Sequence, residues 1–204
     1  MTCINTTARR HPNMEPTTTS PGGGQAMTPA NRMLIVCYSR SGTTARVGDA
    51  LARRLGTDVV MIQDQRTHGR VSVWRAMLDR LFNTLPPIAP IATPLDSHDL
   101  IVLGTPVWGG RAAAPMRRFL KDYGPSLPAV AFFCTMGGSG AASTFEDMQA
   151  RLGKPPRASC SFDAKALNNG SYLGALDHFA MQLAGDAHSP PSRQPAPNGI
   201  PTPR

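Results

Sequence analysis

Three short apolar runs in this chain, MLIVCY at 33–38, LIVLG at 100–104 and AVAFFC at 129–134, are each followed at once by a loop of small and hydroxyl residues: SRSGTT, TPVWGG and TMGGSG. An apolar run with no polar alternation has no face for solvent, which fits a strand covered on both sides by helices. Amphipathic segments follow the loops. From Ala45, the residues Val47, Leu51 and Leu55 recur at helical spacing until Gly56, a residue suited to a helix end. DVVMI at 58–62 supplies a second strand. A helix is expected from Gly69 to Leu85, with Trp74, Met77, Leu81 and Phe82 on its apolar stripe, stopped by Pro86 and Pro87. Further helices are expected at Arg111–Lys121, Ser143–Leu152 and Tyr172–Leu183, with a short strand near Ala158–Phe162. Strand and helix alternate without an internal repeat. The fold class expected is α/β, a doubly wound parallel five-stranded sheet with helices on both faces.

The ordered-looking stretch is one domain, 32–185. Residues 1–31 and 186–204 are rich in Thr, Pro, Ser and Gly and bury too little to offset chain entropy, so both are expected to be disordered tails. Translation starting at Met27 or Met33 would account for the first of them. No apolar core of a secretory signal and no window approaching a membrane span occurs, and Arg9 and Arg10 lack the apolar face of a transit peptide. A cytoplasmic protein is expected. Its cysteines, at 3, 37, 134 and 160, form no C-x-x-C pair, which argues against a zinc site and for buried reduced thiols. The histidines show no metal-ligand spacing either, and Asp49 and Asp147 read as surface charges on helices.

The formal charge of +8 belongs to the domain: four of the 21 basic and two of the 13 acidic residues lie in the tails, leaving 17 against 11. The arginines are dispersed, with no run of five and no interleaved aromatic stripe, so nucleic-acid binding is not expected. An anionic small molecule is the better match.

In open α/β sheets ligands bind outside the carboxyl ends of the strands, where these three loops stand. Ser39, Arg40, Ser41, Gly42, Thr43 and Thr44 offer hydroxyls and main-chain N–H groups at the start of a helix, with Gly42 permitting a tight turn: a phosphate cup. A plain Ser/Thr-capped turn is the alternative. GxxxxGK[ST] is absent, which excludes a nucleoside triphosphatase loop, and Thr43 stands where a C-x5-R phosphatase loop beginning at Cys37 needs arginine. In the second loop, Pro106, Val107, Trp108, Gly109 and Gly110 set a large aromatic among glycines that allow close backbone approach to a flat ring. Trp108 as core filler is the competing reading. In the third, Thr135, Met136, Gly137, Gly138 and Ser139 can present main-chain N–H groups to the polar edge of such a ring.

Together SRSGTT, GTPVWGGRAAAPMRRFL and TMGGSGAASTFEDM resemble the three FMN-binding loops of the flavodoxin-like family, including its NAD(P)H-dependent reductases, over roughly residues 32–183. That resemblance implies strand order 2-1-3-4-5 and non-covalent FMN: the first loop on the phosphate, Pro106, Val107, Trp108 and Gly109 flanking the isoalloxazine, and Thr135, Gly137, Gly138 and Ser139 lining its other side. Two departures shape the expected chemistry. The third loop has no aromatic residue, whereas electron-carrying flavodoxins often sandwich the ring between two. Those carriers are also acidic, while this domain is basic and Arg111 follows the second loop directly, so reduced flavin should be stabilised. The resemblance then implies two-electron chemistry: NAD(P)H as donor, a quinone-like or other small molecule as acceptor, and no side chain acting as acid or base. The alternatives are an electron carrier docking on partner redox proteins, and a cofactor-free regulatory module of the same fold. A response-regulator receiver is not among them, since Tyr38-Ser39-Arg40 supplies no acidic residue at the end of strand one. The Trp74–Leu85 stripe is read as core, with a flavin cover or a homodimer contact as its other readings.

Overall fold

The computed structural model describes residues 32–66 and 85–185. Both tails and residues 67–84, on which the helix expected at 69–85 and its aromatic stripe fall, lie outside the described residues.

Five strands, β1 (Met33–Cys37), β2 (Asp58–Met61), β3 (Leu100–Pro106), β4 (Ala129–Met136) and β5 (Ser159–Asp163), form one parallel sheet in the order β2-β1-β3-β4-β5. The register places Cys37 beside Gly104, Gly104 beside Phe133 and Met136 beside Asp163. The helices are α1 (Thr43–Leu55), α2 (Ala114–Tyr123), α3 (Ala141–Leu152), α4 (Ala164–Asn169) and α5 (Tyr172–Gly185).

Side chains of a strand alternate between the two faces, and here both faces are covered, which is why the strands read as unbroken apolar runs. Leu34, Val36, Ile101, Leu103 and Phe132 pack with Met116, Phe119 and Leu120 of α2 and Met148 of α3. On the opposite face Ile35, Cys37, Val102 and Phe133 pack with Val47 and Leu51 of α1 and Leu176, Phe179 and Leu183 of α5. Each fully buried phenylalanine among them contributes about 1.5–3 kcal/mol. From β1 the chain crosses to β2 on one side, whereas from β3 it proceeds to β4 and β5 on the other, so the sheet's direction of winding reverses between β1 and β3.

Where the boundaries differ from expectation, local chemistry explains it. β3 and β4 continue to Pro106 and Met136, so Pro106, Thr135 and Met136 are the last rungs of the sheet rather than loop residues; main-chain pairing tolerates the threonines because their hydroxyls are satisfied. α2 starts at Ala114, not Arg111, since residues 108–111 close a turn and Pro115 falls in the first helical turn, where its missing N–H costs nothing. α1 and α3 start earlier than expected, at Thr43 and Ala141, each behind a glycine N-cap. The short α4 was not anticipated. Asp163 caps it, accepting from Ala166 N at 2.8 Å.

Candidate cofactor site

The loops after β1, β3 and β4 emerge side by side from the middle of the sheet, where the winding reverses, and three contacts tie them together. Tyr38, buried at the end of β1, meets the indole of Trp108 edge-on, with ring centroids 5.7 Å apart and planes at 89°. Thr44, buried in the first turn of α1, shares a 2.8 Å hydroxyl hydrogen bond with Thr135 at the end of β4. Gly140 lies against the second loop so closely that a Cβ there would stand 2.9 Å from Val107 Cγ1 and 3.3 Å from Gly110 Cα.

The first loop leaves Arg40, Ser41 and Gly42 exposed, with Ser41 and Thr43 hydroxyls 3.2 Å apart. α1 begins at Thr43 without a side-chain cap and without an acidic residue in its first turn. Its first main-chain N–H groups have no intrahelical partner, and the positive end of its dipole is unopposed. Ser39 Oγ is buried and has no hydrogen-bond partner among the described residues. A buried hydroxyl without a partner is costly, and an anion seated on this helix end would satisfy it.

The second loop is a hairpin. Trp108 N donates to Arg111 O at 2.9 Å, Arg111 N donates to Trp108 O at 3.3 Å, and Val107 bridges Ala112 in antiparallel fashion. The two residues at its tip, Gly109 and Gly110, have φ of 60° and 75°. Two consecutive left-handed residues make the type I′ turn that closes a two-residue hairpin, and glycine takes both without strain. Thr105 anchors the base: its buried hydroxyl donates to Pro106 O at 3.1 Å and accepts from Ala113 N at 3.0 Å. Trp108 is half-buried, packing partly on the core under α2 while leaving some of its ring at the surface. Its buried part meets the core-filler reading, and its exposed part leaves ring surface beside the loop glycines.

In the third loop Gly137, Gly138 and Ser139 are exposed, whereas Met136 is half-buried and Thr135 buried. The hydroxyl of Thr135 is engaged with Thr44, so what either threonine can present to a ligand is its main chain.

Cys37, directly beneath the first loop, is an inert thiol. Burial, with the charge of Asp49 adding to it, pushes it up to about 12, and its Sγ donates to Met61 Sδ at 3.3 Å. Burial raises Cys134 to about 12 as well. Among the described residues no cluster of His, Cys, Asp or Glu is arranged to hold a metal, and no helix is long and apolar enough to cross a membrane. His98 caps a turn, its Nδ1 lying 2.9 Å from Pro94 O. Asp49 is exposed as expected, but Asp147 is largely buried beside Arg151, one turn on along α3.

The flavodoxin family profile matches residues 32–174. The chain belongs to the flavodoxin family. Among solved structures this flavodoxin resembles a flavoprotein of Lactobacillus acidophilus NCFM in complex with FMN, at 20% identity and a TM-score of 0.58, covering 69% of this chain and 99% of that one. The apo-form of the flavoprotein from that organism matches at 19% and 0.53, covering 67% and 95%. A proposed flavoprotein of Bacteroides eggerthii DSM 20697 matches at 19% and 0.58, covering 71% and 97%. These TM-scores establish a common fold. No curated protein sequence matches the chain.

Three residues that hold this flavodoxin's site together were not picked out from the sequence: Tyr38, Thr105 and Gly140. Tyr38 reads as the end of an apolar run and Thr105 as the first residue of a loop. Only Gly140 carried a signal, as one of the three glycines in TMGGSG.

Proposed function

We propose that this flavodoxin binds FMN non-covalently where its three loops converge, and acts as an NAD(P)H-dependent oxidoreductase on a quinone-like or other small acceptor. The observation that carries the reading is the orphaned Ser39 Oγ at an uncapped helix start, within a loop cluster pinned by the Tyr38–Trp108, Thr44–Thr135 and Gly140–Val107 contacts.

In this reading Ser39, Ser41 and Thr43 give hydroxyls to the phosphate, and Gly42, Thr43 and Thr44 give main-chain N–H groups, each charge-assisted bond being about twice as strong as a neutral one. Arg40 adds its backbone and its charge. Pro106, Val107, Trp108, Gly109 and Gly110 flank the isoalloxazine, the indole supplying apolar area and the glycines close backbone approach. Met136, Gly137, Gly138 and Ser139 face its other edge, with Thr135 fixing their strand to α1. Flavin, when bound, supplies the hydride and electron chemistry; the chain supplies position, exclusion of water and positive potential. Among the described residues Arg111 is in no ion pair, which supports a site that favours the reduced, more negative cofactor. The buried, protonated cysteines suit a reducing compartment, and we place the protein in the cytoplasm.

One preparation tests this. The purified protein, given FMN and desalted, should retain a flavin spectrum and bleach on anaerobic addition of NADH or NADPH. FMN uptake with no bleaching by either donor, and accumulation of a one-electron form on chemical reduction, would assign it instead as an electron carrier. No FMN uptake at all would refute the cofactor assignment.

A further inference from the structure

The loops at the carboxyl end of the sheet carry two exposed arginines, Arg40 and Arg111. Trp108 and Arg111 are the hydrogen-bonded pair that closes the hairpin, and directly opposed residues of an antiparallel pair project to the same side. The turn thus carries a half-buried Trp108 and an exposed Arg111 on the same side. Among the described residues Arg32, Arg54, Arg66, Arg118 and Arg151 are each held by an aspartate, whereas Arg46, Arg53 and Arg157 are in no ion pair and lie away from the hairpin. Arg111 has no such partner among the described residues. The carboxylates closing the ends of the outer strands are committed: Asp64 to Arg66 at 3.4 Å and Asp163 to the N–H of Ala166. α1, α2 and α3 all begin at this end of the sheet, none with an acidic residue in its first turn, so their positive ends add.

We infer that Arg111 is the specificity-determining residue for the small molecule that meets the flavin: it takes the carboxylate, sulfonate or phosphate of an aromatic anion. A guanidinium fork matches an oxyanion's geometry, and the adjacent indole gives an aromatic ring apolar surface. The inference rests on the FMN reading and adds to it the charge and class of the reaction partner.

The test uses two redox-inert probes of like shape, naphthalene-2-sulfonate and neutral naphthalene-2-sulfonamide, titrated into FMN-loaded protein and followed by equilibrium dialysis and by perturbation of the visible flavin band. The sulfonate should bind roughly five- to tenfold more tightly, a preference modest because Arg111 is exposed. It should shrink to about twofold or less in Arg111→Gln and at ~1 M salt, and be partly restored in Arg111→Lys. Arg53→Gln removes the same charge from the last turn of α1, at the opposite end of that helix, and should keep the preference. Equal binding of the two probes to the unaltered protein, or equal loss in the Arg111 and Arg53 variants, would overturn the inference while leaving FMN binding intact. Failure to take up FMN, measured first by absorbance, overturns both readings.

Discussion

Gly104 is the position where the packing under the site leaves least freedom, and replacing it with alanine turns that into a measurement. Gly104 lies in β3 between Cys37 of β1 and Phe133 of β4, and its φ is not in the left-handed region, so alanine adds no backbone strain there. The cost is steric. An added Cβ would stand 2.1 Å from Phe133 Cζ, 2.5 Å from its Cε1 and 2.8 Å from Cys37 Cβ, where contacts below 3.0 Å do not persist. Phe133 must move by roughly 1 Å or more to restore ordinary carbon–carbon contact. It has nowhere to go: it is fully buried and packs edge-on against Phe162, at 6.4 Å between centroids. Overpacking of this kind costs about 1–3 kcal/mol, occasionally more, and alanine's better strand preference returns at most about 1 kcal/mol. A net loss of about 2 kcal/mol lowers Tm by roughly 4–8 °C for a domain of this size. Gly48, whose Cβ would meet Cys37 Sγ at 3.3 Å and Phe133 Cζ at 3.7 Å, is the internal control. It lies in the interior of α1, where alanine gains about 1 kcal/mol of helix propensity, so Gly48→Ala should be near neutral. Urea unfolding of both variants, with Gly104→Ala repeated in a Phe133→Leu background to recover part of the loss, checks the reasoning. Gly104→Ala as stable as the parent, or no coupling to Phe133→Leu, would refute it.

Thr135→Val removes the partner of the buried Thr44 hydroxyl and should cost about 1–3 kcal/mol in urea unfolding, with Thr44→Val,Thr135→Val together costing less than the sum of the two single changes. Ser39→Ala should move two quantities in opposite directions: FMN-free stability unchanged or slightly raised, because an unpartnered buried hydroxyl disappears, and FMN affinity reduced about tenfold or more by fluorescence titration, for a lost bond to a charged group. Thiol burial sets a pH dependence. Cys37 and Cys134 ionise at about 9 when unfolded but about 12 when folded, so their raised folded values leave stability whole below about pH 9 and erode it between about 9 and 12, by ~1.4 kcal/mol per pH unit per thiol. Cys37→Ala,Cys134→Ala should flatten that fall in unfolding curves taken at pH 8 and pH 10.5, and a parent protein no steeper than the variant would contradict the assignment.

Much of the fold was legible because burial on two faces leaves a plain trace. MLIVC, LIVLG and AVAFFC contain no polar residue, so each needed cover on both sides, and the amphipathic segments after them supplied it. The strand ends were less legible for a chemical reason: Thr105, Thr135 and Met136 look like loop residues, yet parallel main-chain pairing continues through them once Ala113 N and Thr44 Oγ1 satisfy the hydroxyls. The start of α2 was obscured in the same way, since RAAAP reads as helix by composition, while two left-handed glycines just before it force a hairpin first.

The site shows the same division between what spacing declares and what only contact reveals. The loops announced themselves through glycine and hydroxyl content, a local property, but their convergence depends on residues far apart in the chain: Tyr38 with Trp108, Thr44 with Thr135, Val107 with Gly140. No window of sequence contains both members of any such pair. Thr44 marks the consequence. Read alone it is one more phosphate hydroxyl in SRSGTT; placed in the fold, that hydroxyl turns inward to Thr135 and ties the first loop to the third, so that under the FMN proposal only its main-chain N–H is counted toward the anion. A motif read residue by residue therefore overstates how many side chains face a ligand, because some of them hold the loops that do.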